Sequence, residues 1–455
     1  MTETIPTEQR PQGKFLTGSL MRHVAVMSLS GALGLSFTFL VDFLALWWIS
    51  QLRVEAQMAA VGIAGTVQFG VMSISIGMMI GAVALVARSI GQGDRPRARR
   101  IATMAMVLNV VVQVSVSLLI WVFRHQILVE SGATGDALAY GEKFLAITLP
   151  SMPLIAAGIM ASSLLRAVGD AWRSMAVTMT GGLIAVALDP FFIVWMGWGI
   201  EGAGWSIVIA RVAVCAVGLW FVIGKHDLLA RPSLEDIAFF ARPYMAIAAP
   251  AIVTQLSTPF GNWLLTREIA HFGESAVAGW GVVMRLTILA FGGIFALSGA
   301  IGGIIGQNFG AGRGDRVAGA FVAALKFCAV YTLITWLLMA LLSGPIVSSF
   351  GLTGDGAEVV RIFTHWAAGA FVFTGALFVA NATFNNLGRP LASTAANWFR
   401  DGILILPLAV AMGAWFGATG VVWANSLANI IAGCLAAFLA WRHIRTLLRP
   451  ADIAG

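Results

Sequence analysis

The stretch SIGQGDR, residues 89–95, recurs as FGAGRGDR, residues 309–316, when a two-residue insertion is allowed for. Two further pairs follow the same rule. LRAVGD at 165–170 pairs with NNLGRP at 385–390, and GIEGAGW at 199–205 with GATGVVW at 417–423, at a nearly constant offset of about 218 residues. Self-similarity at a fixed offset marks a duplicated structural unit. It divides the chain into residues 1–224 and 243–455, joined by the charged, amphipathic connector KHDLLARPSLEDIAFFAR at 225–242.

The repeated unit belongs in a membrane. Of 455 residues, 59% are hydrophobic and only 11% charged, and the mean hydropathy is +0.87. A soluble chain of this length could not cover so much apolar surface, whereas a helix of about 20 apolar residues spans a bilayer. Roughly twelve such segments can be counted, six in each half. The second and eighth, near 57–87 and 275–306, are long and need tilt or extension beyond the hydrocarbon. With the N-terminus inside, 19 of the 28 Lys and Arg residues fall in cytoplasmic segments, five on the opposite side, and four (Arg211, Arg285, Lys326, Arg400) within spans. This positive-inside asymmetry places both termini in the cytoplasm, and the net charge of +7 is read as topology rather than nucleic-acid binding. The two halves share one orientation. The expected fold is therefore all-α, with twelve transmembrane helices in two six-helix parallel-repeat lobes around a central cavity. The polar N-terminal segment has no apolar core with a small-residue cleavage site, so no removable signal peptide is expected. Cys215, Cys328 and Cys434 lack metal-ligand spacing and read as core residues.

Within this apolar background two carboxylates stand out: Asp42 in FLVDFLALWW (39–48) and Asp189 in LIAVALDPFF (183–192). An ionised Asp at a span centre costs roughly 2.5–3.5 kcal/mol and needs a partner or a wet cavity. At 100° per residue, Ser28, Gly31, Gly34, Thr38, Asp42 and Ala45 form one small, polar strip. Thr178, Gly182, Ala185 and Asp189 form another, and both acids lie past mid-span toward the outside. Pro190 removes a backbone donor and should kink the helix beside Asp189, freeing the Val186 carbonyl for a proton relay or a small cation such as Na⁺. Fixed interhelical hydrogen bonding is the structural alternative. By the repeat, Asp42 maps near Gly261 and Asn262, Asp189 near Leu406, and Pro190 onto Pro407, so the acids have no twins.

Gln68, Asn109, Gln255, Asn262, Asn381, Asn385 and Asn425 either line a cavity or bond between helices. Arg285 either orients cavity groups or holds the lobe together, Arg211 and Lys326 snorkel, and Asp401 beside Arg400 reads as structural. Met72, Met78 and Met79 offer an adaptable apolar surface. No GxxxxGK[ST], HExxH, CxxC or GxSxG motif occurs, and no soluble segment is long enough for a catalytic domain. No rings or filter loop of a channel are visible. A secondary transporter is the reading, against an intramembrane aspartyl enzyme.

VDFLALWW, EAQMAAVGIAG, SIGQGDRPRAR, LRAVGD, LDPFFIVWMGWGIEGAGWS, GQNFGAGRGDR, NNLGRP and ILPL, in this order, resemble the multidrug and toxic compound extrusion (MATE) transporters from about residue 20 to 441. The resemblance implies export of cationic or amphiphilic small molecules in exchange for H⁺ or Na⁺, without a cofactor or resident metal. It implies a monomer in lipid at the cytoplasmic (inner) membrane. Asp42 and Asp189 match the functional acids of the DinF-like branch. The acid of NorM-like members is missing from APAIVTQLSTPFGNW. Where relatives carry Asn before the fifth-helix acid this chain has Ala185, and where they carry Thr in the sixth helix it has Ile207, with Ser206 adjacent. Thr38, Gln68, Thr178, Ser206, Asn262, Arg285 and Asn381 complete the candidate cavity set, and Pro190 and Pro407 are the candidate kinks. A lipid-linked oligosaccharide flippase of the same superfamily is the nearest rival.

Overall fold

The computed structural model describes residues 13–50 and 54–448, with the side chains of Asp42, Phe43, Leu46, Ser50 and Glu55 left outside the description. Within these residues every element is helical. Eleven helices are long and apolar enough to cross a membrane, and twelve when one bent pair counts as a single span. Spans 1–6 are Leu20–Ser50, Glu55–Gly91, Arg95–Val122, Gly135–Ala167, Ala171–Trp195 and Gly199–Lys225. Span 7 is Leu234–Ala270, and span 8 is Glu274–Ala290 plus Gly292–Gly310, bent by 48°. Spans 9–12 are Gly314–Leu341, Ala367–Asn386, Pro390–Phe416 and Ala418–Leu448.

The repeat is visible in the backbone. Gly93 and Gly312 (φ 78° and 68°), Gly132 and Gly351 (90° and 60°), and Gly169 and Gly388 (88° and 84°) form three pairs, each 219 residues apart. All are left-handed turns that glycine adopts without steric cost. Spans 3 and 9 begin and end at the same spacing, as do the short surface helices Arg124–Glu130 and Ser343–Ser349. This corrects the alignment of SIGQGDR with FGAGRGDR. No insertion intervenes, because the turn glycine fixes the register and the first helical residues, Arg95 and Gly314, follow it equally. Asp94, which caps span 3 by accepting from the Arg97 N–H at 2.9 Å, therefore corresponds to Arg313, which makes no side-chain cap.

Pro190 and Pro407 are not structural twins. Pro190 opens a π-helical turn at 190–195 directly after Asp189, whereas Pro407 lies beyond the π-turn at 399–404 of span 11. The missing N–H of Pro190 loosens the helix at the acid. The same ring in span 11 sits past the irregularity.

The lobes meet at the basic end of the bundle. A Cβ added to Gly91 would lie 2.0 Å from the Gln307 carbonyl oxygen, and one on Gly310 2.1 Å from that of Arg88. Only glycine permits this approach. Residues 13–18 lie over the joint. The Gln307 side chain accepts from the Phe15 N–H at 3.0 Å and donates to the Ala167 carbonyl at 2.6 Å. Arg316 donates to the carbonyls of Phe15 and Gly18, and Lys14 to that of Gly169 at 2.9 Å. Away from that joint, Gly62, Gly65 and Gly70 of span 2 and Gly281 of span 8 would meet nothing within 4 Å. The lobes close on each other at the basic end.

Candidate functional site

The first lobe holds a cavity of about 410 Å³. Among the described residues, those that line it are all of the first lobe: Ala45 and Ile49 of span 1, the span 2 stretch from Val61 to Met72, Phe144 and Met152 of span 4, Asp189, and Ala203, Ile207 and Arg211 of span 6. Among these, Gln68, Asp189 and Arg211 are polar and the rest apolar.

Asp189 is the last α-helical residue of span 5, where Pro190 turns the backbone into the π-helix. It is 2% exposed, yet it borders the cavity. No Lys or Arg reaches its carboxylate within ion-pairing distance among the described residues. The buried Ser206 hydroxyl stands beside it but short of hydrogen-bond geometry. An acid that is buried, cavity-lining and without a fixed countercharge is placed to accept a proton or a small cation.

Arg211 was expected to snorkel, and the structure corrects this. Its guanidinium turns inward, donating to the Thr148 carbonyl at 2.8 Å, the Ser151 hydroxyl at 2.9 Å and the Gln68 side-chain oxygen. Those acceptors lie on spans 2 and 4, inside the lobe. In the sequence, Ala203, Ile207 and Arg211 follow at one-turn intervals and so share a helix face, but the spacing does not say which way that face points. A cation within a span carries the same burden of explanation as an acid.

The candidate set divides accordingly. Gln68 and Asp189 line the cavity, Met72 joins them, and Ser206 borders the acid. Thr38 and Thr178 are absent from its wall; their hydroxyls donate back to the carbonyls of Gly34 (3.0 Å) and Ser174 (3.2 Å), and Thr178 packs toward Gly34 where spans 1 and 5 meet. Asn381 accepts from Asn397 at 2.9 Å and Asn262 is half-buried, both in the second lobe. Arg285 is exposed in span 8. None of these three reaches the cavity. Asn109 bonds between helices, to Ser75 and Ala156, both at 3.1 Å. Met78 and Met79 are buried in the core. The Asp42 side chain lies outside the described residues, although its backbone continues the helix of span 1 one turn before Ala45.

The second lobe treats its acid differently. Asp401, 2% exposed, forms a two-point ion pair with Arg400, Nε to Oδ1 at 2.7 Å and Nη2 to Oδ2 at 2.8 Å. Neighbours in sequence do not share a face of an α-helix. In the π-turn at 399–404 they meet. Asn429 and Thr258 accept from the same guanidinium, each at 3.4 Å.

Comparison with known proteins agrees with this architecture. The MatE family model matches residues 32–191 and 250–411. A protein of Shewanella oneidensis named FAD transporter is 28% identical over 435 residues, covering 94% of this chain and 96% of that one. A probable multidrug resistance protein of Bacillus subtilis, YpnP, is 23% identical over 95% of this chain and 97% of its own. Among solved structures, the outward-facing conformation of a multidrug resistance MATE family transporter superposes with a TM-score of 0.88 at 21% identity, covering 98% of this chain and 100% of that one.

Proposed function

The chain belongs to the MatE family, a family of transporters rather than enzymes, and on that premise we propose that it exports drug-like amphiphilic compounds in exchange for H⁺ or Na⁺. The observation that carries the reading is Asp189: buried at the wall of the first-lobe cavity, beside a helix irregularity, and unpaired by any described cation. Taking up a proton or Na⁺ there removes a buried charge. The helices around the acid then prefer a different packing, which is what an exchanger requires. With the basic end on the cytoplasmic side of the inner membrane, the arrangement corresponds to a state closed toward the cytoplasm. The seal of Gly91, Gln307 and Gly310 is the gate that opens in the alternate state. Asp42 is the second acid of this proposal by its position in span 1. The dinucleotide in the Shewanella relative's name and the drugs in the Bacillus relative's name bracket the substrate range to be tested.

The test is substrate accumulation in inverted vesicles, driven separately by a pH gradient and by a Na⁺ gradient. One gradient drives accumulation in the native protein, and Asp189→Asn abolishes it while the protein remains inserted. Undiminished gradient-driven accumulation in Asp189→Asn sinks the role of this acid. Gradient-independent flipping of a lipid-linked sugar supports the flippase instead.

A further inference from the structure

We propose that Arg211 is an anion-binding subsite, so that the cavity takes amphoteric substrates: an apolar or cationic body bearing a carboxylate or phosphate. The proposal rests on the exporter reading for its location, and adds the polarity of what is bound there.

Three features argue for it. First, every partner of the Arg211 guanidinium is a neutral oxygen, on Thr148, Ser151 and Gln68, and no carboxylate pairs with it among the described residues. Neutral hydrogen bonds orient a guanidinium but leave its charge uncompensated, which in a membrane interior is costly. Three of its five N–H groups are so used. The planar fork is thereby held rigid with donors to spare, the arrangement that suits two-point recognition of a carboxylate or phosphate. Second, Arg211 opens onto the 410 Å³ cavity rather than into packed core. Third, Asp189 lines the same cavity yet is not paired with Arg211. A cation and an anion kept apart on one apolar wall form a receptor for a molecule carrying both charges. Elsewhere in this chain, the buried pair of Arg400 and Asp401 shows what happens when the two are meant for each other.

The cavity wall supplies the rest of the recognition. Phe69, Met72, Phe144, Met152 and Ile207 offer an adaptable apolar surface for a ring system. Binding the anionic group at Arg211 leaves Asp189 free to exchange its coupling ion.

The experiment uses the purified full chain in nanodiscs and a matched dye pair: tetramethylrhodamine, with a free carboxylate, and its methyl ester, which lacks the anion. Fluorescence anisotropy gives the ratio of the two dissociation constants. The native protein should prefer the acid. Arg211→Gln should lower that preference about tenfold, the scale of one charge-assisted hydrogen-bonded contact, and Arg211→Lys should retain part of it. Because Arg211 also ties span 6 to spans 2 and 4, a second variant leaves those bonds in place. Ile207→Glu, one turn away on the same wall, supplies an internal carboxylate that competes for the guanidinium and should lower the preference similarly. A native protein that binds the ester as tightly as the acid overturns the proposal. So does an unchanged ratio in Arg211→Gln or Ile207→Glu. The measurement is made at equilibrium without a gradient. Failure of gradient-driven transport therefore sinks the exchange mechanism alone, and an indifferent dye ratio sinks the anion subsite alone.

Discussion

Each lobe buries an acid within a span, Asp189 in the first and Asp401 in the second, and the two are treated in opposite ways. In the second lobe span 7 offers Gly261, whose added Cβ would lie 2.8 Å from an oxygen of Asp401 on span 11. In the first lobe the roles of the helices exchange. Span 5 offers Gly182, packed against Phe37 and Val41 of span 1, and the 219-residue spacing carries Asp42 onto Gly261. The second-lobe acid is sealed by its own neighbour Arg400, while Asp189 and Arg211 of the first lobe stand unpaired around a cavity. Duplication preserved the architecture, and under the proposed function the difference in charge pairing gives structure to one lobe and exchange to the other.

The sharpest way to break this comparison is to unpair the second-lobe acid. Arg400→Ala leaves Asp401 buried without its countercharge and should cost about 3–5 kcal/mol, read as a large drop in thermal unfolding temperature in detergent. Replacing both residues, Arg400→Met with Asp401→Leu, removes the charges together and should be near neutral in stability. Gradient-driven transport should survive in the double variant. Loss of coupling there, with stability intact, would move exchange into the second lobe and undo the assignment.

The repeat, the helix count and Asp189 were legible in the sequence because each is a local signal: a glycine-marked turn, an apolar run, a carboxylate where lipid is expected. Arg211 was not, because its length allows it either to snorkel or to fold inward. Only the acceptors of Gln68, Thr148 and Ser151, brought from two other spans, decide between them. Thr38 and Thr178 lie outside the wall of the first-lobe cavity, a placement that their polarity alone does not give. A threonine inside a helix can satisfy itself on the preceding turn, and both do. The structural reading of Asp401 beside Arg400 was available from the sequence, whereas the π-turn in which the two pair is not a feature that a period-3.6 reading gives.

A smaller effect separates the sealed end from the opposite one. Gly91→Val pushes a side chain against the Gln307 backbone, while the same change at Gly65 meets open space. Overpacking costs about 1–3 kcal/mol, here charged to the sealed state alone, so the gate should open. Spin labels at the exposed positions Gln92 and Asp315 should report a longer interlobe distance in Gly91→Val and no change in Gly65→Val. Equal distances in the two variants would deny that this contact is the gate.

The smallest test concerns the caps at the basic end. Asp170 accepts from the Arg173 N–H at 3.1 Å, from the Arg173 guanidinium, and from His226 at 2.8 Å, whereas Arg389, 219 residues on, caps span 11 with no side-chain bond. Burial alone would raise the Asp170 carboxyl, but these hydrogen bonds and the Arg173 charge outweigh it and hold the group below its ordinary value. The depressed value fixes the sign. The contribution of the charged cap is complete above the unfolded value, about 3.9, and is lost as pH falls through the lower folded value. Asp170→Ala should therefore cost about 1 kcal/mol at neutral pH, and the gap from native should narrow only below about pH 4. Arg389→Ala has no cap to lose and should show no such acid-side convergence. A pH-independent gap in Asp170→Ala would mean that the first-lobe cap acts through packing rather than charge.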